Sequence, residues 1–212
     1  MHVDSWDSAT GVVAAVDPVM ARLVEVVGPI ELRPTDPDGP FGALVRSIVF
    51  QQLAGRAANA IHGRVKALVD GPMRPEALTP LGDDELRGAG LSRAKLASLR
   101  DLSTKVLDGT VQLDTHADLP DDEVIAQLVT VRGIGRWTAE MYLMFEQRRL
   151  DVWPVDDLGV RHGYGLTWSI DPPPTPRQLQ PLGDRFRPYR SVVARYCWEA
   201  VALARRGDTT LR

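Results

Sequence analysis

The chain has 212 residues, 44% hydrophobic and 25% charged, with a formal net charge of −3. This is the composition of one globular domain or two tightly joined subdomains; it excludes a uniformly basic nucleic-acid coat but allows a local basic face. A single cysteine, Cys197, excludes an internal disulfide framework and any iron–sulfur or zinc site built on several thiolates, and no apolar run of 18 residues suggests a membrane span.

The N-terminus, MHVDSWDSAT, has no basic-plus-apolar leader. With the lone cysteine it points to a reducing cytoplasm, in a bacterium the nucleoid. Residues 1–16 are set apart as an N-terminal segment, ordered or flexible, and residues 207–212 as a tail. Asp17 and Pro18 open a helix, and Gly28 suits its left-handed end. Four prolines in residues 29–40 make an irregular arm. Leu44, Val45, Ile48, Val49, Leu53, Ala57, Ile61, Val65 and Leu68 then recur at helical spacing, which predicts two helices broken near Gly55. Thr79 and Asp83-Asp84 mark starts of short helices. A longer helix is expected from Ser92 to Leu107, closed by Gly109. Asp121 or Asp122 caps a helix that runs into VRGIGRWTAEM, and another follows from Arg136 to Gln147. DLGVRHGYGLTW begins a short helix, PPPTP at 172–176 is a stiff break, and the last helix spans Tyr189 to Arg205. No strand alternation of useful length occurs, so the expected class is all-α.

The stretch LVTVRGIGRWTAEMYLMF spells helix, tight hairpin, helix. The two glycines permit positive φ and close approach of a large group, Ile134 plugs the gap between the helices, and the second helix presents its first N–H groups to an anion such as phosphate. Taken alone, a glycine pair is also compatible with a plain αα-turn.

Five segments in order carry a more specific signal: LVRSIVFQQL, AGLSRAKLASL, VRGIGRWTA, DVWPVDD and RPYRSVVARYCW. Together they resemble the helix–hairpin–helix DNA glycosylase superfamily, and most closely its DNA-3-methyladenine glycosylase II branch. The resemblance covers residues 17–206. The chain length implies a short form, without the extra N-terminal domain of the larger bacterial members. For the fold it implies two all-α subdomains, drawn here at 40–110 and 111–185, with a cleft between them and the terminal helices packed together. For activity it implies base-excision repair: removal of alkylated purines of the 3-methyladenine and 7-methylguanine type from double-stranded DNA by a monomer, leaving an abasic site. No cofactor is required.

Each site residue follows by position. Asp157, 22 residues beyond Gly135, falls at the family's catalytic aspartate. An aspartate ahead of a helix is ordinarily its cap, so Asp156 is expected to cap while Asp157 faces the reaction. Trp137 stands where bifunctional members have the Schiff-base lysine, which implies a monofunctional enzyme. Trp137, Met141 and Trp198 are placed around the base pocket, against the plain alternative of core packing. Gly133, Gly135, Arg136 and Thr138 at the hairpin, Gln51 and Gln52 toward the minor groove, and Arg190 and Ser191 are placed on DNA, with Ser191 also a candidate cap. Residues 185–206 hold six arginines to one acid, Glu199, a pattern equally common on a solvated helix face. Backbone carbonyls of Val129, Val131 and Ile134 are implied to hold a Na⁺ or K⁺ ion. Arg93 and Lys95 support either the backbone or a carboxylate. The histidines His2, His62, His116 and His162 show no ligand spacing. Two other readings stay open: a related glycosylase for oxidised or deaminated bases, and a lesion-binding module without chemistry.

Overall fold

The structure, a computed structural model, describes residues 5–207, so His2 and almost all of the expected tail lie outside it. In chain order the helices are α1 (Trp6–Val16), α2 (Pro18–Val27), α3 (Gly39–Phe50), α4 (Gly55–Ala67), α5 (Pro75–Leu78), α6 (Asp83–Gly88), α7 (Arg93–Leu107), α8 (Asp121–Leu128), α9 (Arg136–Phe145), α10 (Leu158–Thr167), α11 (Pro176–Leu182) and α12 (Arg190–Arg205). Two 3₁₀ turns, at Leu113–Thr115 and Asp184–Phe186, complete the set, and no strand forms among the described residues. None of these helices is long and apolar enough to cross a membrane.

The chain divides into two compact units, but not at residue 110. One comprises the chain up to Leu32 together with the part from Arg148 onward; the other is Arg33–Gln147. The expected boundary fails because α8 and α9 are tied to the helices before them. α9 packs on α3, and α7 grips the α8–α9 turn through side chains described below.

In the first unit the two chain ends share a core. α12 packs on α1, α2 and most extensively α10. Asp17 caps α2 as predicted, its Oδ1 accepting Met20 N–H at 2.9 Å. The same buried carboxylate receives Arg185 Nη1 at 3.0 Å and Trp168 Nε1 at 3.3 Å, so the cap doubles as a tie between distant segments. Tyr164 stacks on Trp168 at 4.1 Å and accepts from Arg185 Nη2, while burial pushes its phenol up to about 12. Tyr196 donates to the carbonyl of Gly28 at 3.0 Å.

Residues 6–16, whose order the sequence left open, are helical. Ser5 caps α1 by accepting Ser8 N–H at 3.2 Å, and Ala9 and Val13, four residues apart, are fully buried. Three further boundaries differ. Thr79 ends α5 instead of opening a helix, Pro120 takes the cap position ahead of Asp121, and Thr175, at the end of the proline run, caps α11.

α10 meets α12 at very short range because its facing residues are glycines. A Cβ on Gly163 would overlap the backbone carbonyl of Cys197, and one on Gly159 would come within 2.6 Å of the Trp198 ring. Backbone cannot yield as a flexible side chain can. Gly163→Ala should therefore cost about 1–3 kcal/mol, the usual range for overpacking, and lower the thermal midpoint by several degrees. Gly55→Ala, where a Cβ meets open space at the start of α4, should leave the midpoint unchanged or raise it slightly. Calorimetry of the two variants checks the difference.

Candidate active site

Asp157 lies half-buried at the start of α10 and is itself the N-cap of that helix: its Oδ1 accepts Val160 N–H at 2.7 Å. The expected division of labour, with Asp156 capping, is not what forms; Asp156 is exposed one residue outside the cap. The same Oδ1 accepts the indole N–H of Trp198 at 2.8 Å. Both donors lie in the first unit, on α10 and α12. Trp198, expected as part of a base pocket, therefore spends its one polar group on the carboxylate. Arg195, one turn earlier on α12, places its guanidinium 5.7 Å from the Trp198 ring centroid and 3.8 Å from Glu199. Cys197 is fully buried, and burial with the nearby Asp157 charge pushes its thiol up, so it stays neutral.

The second unit holds the hairpin. Gly133 takes φ 80°, the left-handed region that glycine fills without strain, whereas Gly135 has an ordinary extended backbone and caps α9. A glycine cap offers no side-chain acceptor to the first-turn N–H groups of α9. Ile134 is buried between them. Arg136 is exposed, but its Nε donates at 2.9 Å to Glu140, which is buried. Thr138 is also buried, so only its backbone N–H belongs to the exposed turn; Trp137 is 47% exposed. Of the three carbonyls expected to face a monovalent cation, that of Val131 accepts Ile134 N–H at 3.0 Å and keeps a second lone pair; Val129 lies on the exposed shoulder of the turn.

What positions this hairpin is a polar stripe on α7, of which only Lys95 stood out in the sequence, as a support for backbone or a carboxylate. Lys95, Ser98, Asp101 and Lys105 follow at three- and four-residue steps, the spacing of one helix face. Lys105 donates to the carbonyl of Thr130 and to Asp101, and Asp101 accepts the backbone N–H of Arg132 at 2.6 Å. The Ser98 hydroxyl packs so closely on Gly133 that a Cβ there would come within 2.6 Å of it. Lys95 caps the end of α3 through the carbonyl of Val49, and burial pushes its ammonium below the usual lysine range. Gln51, at that same end, donates Nε2 to the carbonyl of Gly133 at 2.9 Å. Its side chain is thus tied to the hairpin backbone instead of projecting outward. Gln52 does project, exposed and at a positive φ of 56°.

Met141 lines a cavity of about 470 Å³ in the same unit, together with Arg46, Phe50, Tyr142, Phe145 and Glu146; Trp137 is not part of its wall. Tyr142 is held from behind by buried His116 at 3.1 Å and by Gln147 at 2.8 Å. His62 is half-buried and His162 exposed. Among the described residues no cluster of His, Cys, Asp or Glu could hold a metal ion.

The arginine-rich C-terminal segment is mostly neutralised within its own unit, which corrects the placement of Arg190 and Ser191 on DNA. Arg190 is buried and clamps Asp151 through Nε at 2.7 Å and Nη2 at 2.9 Å. Arg187 joins Asp151 and Asp184, and Arg185 is bound to Asp17. Ser191, fully buried, donates to the carbonyl of Arg149 and accepts Val152 N–H at 2.8 Å. It does not cap α12, whose N-cap is Tyr189.

Comparison with known proteins agrees with this architecture. Residues 45–188 match the HhH-GPD superfamily of base excision DNA repair proteins, and the chain belongs to that family. It is 33% identical over 189 residues to DNA-3-methyladenine glycosylase 1 of Schizosaccharomyces pombe, covering 86% of this chain and 82% of that one. Among solved structures, a DNA-3-methyladenine glycosidase from Bacillus halodurans superposes with a TM-score of 0.86 at 35% identity, covering 97% of this chain and 94% of the other. The S. pombe 3-methyladenine DNA glycosylase in complex with abasic DNA superposes with a TM-score of 0.81 at 32% identity, covering 93% and 98%.

The α7 stripe makes a prediction independent of any ligand. Burial alone would raise the Asp101 carboxyl, but hydrogen bonds from Lys105 and Arg132 N–H outweigh it and hold it below the usual carboxylate range. A depressed carboxyl contributes stability that is present at neutral pH and lost as pH falls through its folded value. Asp101→Ala should accelerate amide exchange at Arg132 about tenfold, the worth of one hydrogen bond to a charged group, while the buried middle of α9 stays protected. Acidification of the wild-type protein slows intrinsic exchange at every amide, but the protection factor of Arg132, which corrects for that, should fall as it does in the variant; exchange followed by NMR checks both.

Proposed function

We propose that this chain is a monofunctional DNA glycosylase that hydrolyses the N-glycosidic bond of alkylated purines, of the 3-methyladenine and 7-methylguanine type, in duplex DNA. The observation that carries the reading is the Asp157 carboxylate, half-buried and oriented by two N–H donors on one oxygen. Likeness to relatives named for 3-methyladenine supports the substrate class, and the relative solved with abasic DNA supports duplex DNA as partner.

The chemistry asks little of a proton donor. An N-alkylated purine is cationic and departs with the glycosidic electron pair as a neutral base. The C1′–N bond breaks, an oxocarbenium-like sugar develops, water adds to form the C1′–O bond, and the water's proton passes to solvent. A fixed carboxylate stabilises the developing positive charge electrostatically. The base must leave the stack to be reached. The exposed ring of Trp137 suits a flipped cation. Trp137 carries no amine, so no Schiff base forms there and the product is an intact abasic strand.

On the same reading, the first-turn N–H groups of α9 and exposed Gln52 face the DNA. A monovalent cation on the carbonyls of Val129, Val131 and Ile134 would join the hairpin to a phosphate.

Duplex DNA methylated at purines and incubated with the protein should release 3-methyladenine or 7-methylguanine, identified by chromatography. Strands should be cut only after alkali, with no borohydride-trapped adduct. Asp157→Asn keeps an oxygen for Val160 and Trp198 and should fold normally, yet lose about a hundredfold or more in rate. Tight binding with no base released from any lesion would mark a lesion-binding module instead.

A further inference from the structure

We infer that Trp198 is a positioning residue for Asp157, and that its indole N–H, not its ring face, is what the reaction uses. The inference rests on the glycosylase reading of Asp157 given above.

Three observations converge on it. The indole Nε1 donates to Asp157 Oδ1 at 2.8 Å, the same oxygen that accepts Val160 N–H at 2.7 Å. With both donors on one oxygen, the carboxylate plane cannot rotate about its bond to Cβ without breaking one of them, so the direction of the second oxygen is set. The space for the indole is built into α10. A Cβ on Gly159 would stand 2.6 Å from Trp198 Cδ1, 2.9 Å from its Nε1 and 3.0 Å from Asp157 Oδ1. Any larger residue there would enter the hydrogen bond itself. Finally, Arg195 holds a guanidinium 5.7 Å from the indole centroid. A cation over the π face withdraws electron density and makes the N–H a stronger donor. Arg195, Trp198 and Glu199 lie on one face of α12 at three- and four-residue spacing, and Gly163 against the Cys197 carbonyl sets how closely that face approaches α10.

A donor on a carboxylate favours its ionised form. The role therefore predicts an effect on the protonation of the site that a stacking wall would not have. Trp198→Phe keeps a large aromatic ring and removes only the N–H. Single-turnover release of 7-methylguanine from duplex DNA should fall about ten- to a hundredfold in this variant, the equivalent of one hydrogen bond to a charged group. The acid limb of the rate–pH profile should shift to higher pH, while affinity for the same duplex stays within about twofold. Gly159→Ala, which displaces the indole without altering it, should change rate and profile in the same direction. It serves as the second variant if Trp198→Phe does not fold, as judged by its melting curve.

Wild-type rate and an unshifted acid limb in either folded variant overturn the inference, and so does a loss confined to DNA affinity, which is the signature of a stacking platform. These results differ from failure of the glycosylase reading itself, in which the wild-type protein releases no base at any pH.

Discussion

The contact between Gly163 and the backbone carbonyl of Cys197 sets the geometry on which the first unit depends. A side chain at residue 163 would hold α10 and α12 apart by at least the radius of a methyl group. At that separation Trp198 could not keep its 2.8 Å hydrogen bond to Asp157, and the carboxylate would be left with the single restraint of an ordinary cap. Close packing of two helices is thereby converted into the orientation of one oxygen atom. Cys197 belongs to the same arrangement. It supplies a small buried residue at the crossing, and its neutral thiol adds no charge beside the aspartate.

The second unit solves a different problem. A turn that must present backbone groups outward has few side chains to stabilise itself, and Gly133 and Gly135 contribute none. Its support comes from α7 beneath and α3 beside. Lys105 takes one carbonyl, Asp101 one N–H, and Gln51 another carbonyl. Each partner reaches the loop from a helix anchored by leucines such as Leu99 and Leu102, both fully buried. The hairpin therefore adds little core of its own beyond Val131 and Ile134, both buried, and takes the rest of its rigidity from these helices.

Much of this was legible in the sequence where the signal is local. Asp17, Pro18 and Gly28 bracket α2 as read, and the helix break near Gly55 and the hairpin lie where expected. The ordered motifs also led to the right family. Signals that depend on distant partners were not legible. The arginines after residue 184 read as a basic face because the acids that neutralise three of them, Asp17, Asp151 and Asp184, lie outside the run. Of the stripe from Lys95 to Lys105 only Lys95 was read, as a support for backbone or a carboxylate, and it does bind the Val49 carbonyl; nothing in the spacing of Ser98, Asp101 and Lys105 reveals that a loop 25 residues further on will sit against them. The unit boundaries were missed for the same reason: chain order places residues 111–147 next to 148–185, whereas hydrogen bonds place them with α3 and α7.

Asp157 caps α10, and on the proposed function that cap is compatible with a reactive carboxylate. A helix N-terminus stabilises negative charge through its unpaired N–H groups and its dipole. On the proposed function, a carboxylate beside a cationic sugar gains from that environment, at the cost of some electrostatic strength toward the sugar. Capping consumes one lone pair of Oδ1 and fixes the rotamer. The indole of Trp198 then settles the remaining rotation. Neither of these two donors is a cation. A lysine or arginine in the place of Trp198 would hold the carboxylate as firmly, but its charge would oppose the positive charge that the proposed reaction develops on the sugar. An indole orients without that opposition, which is a chemical reason for a tryptophan at this position of α12.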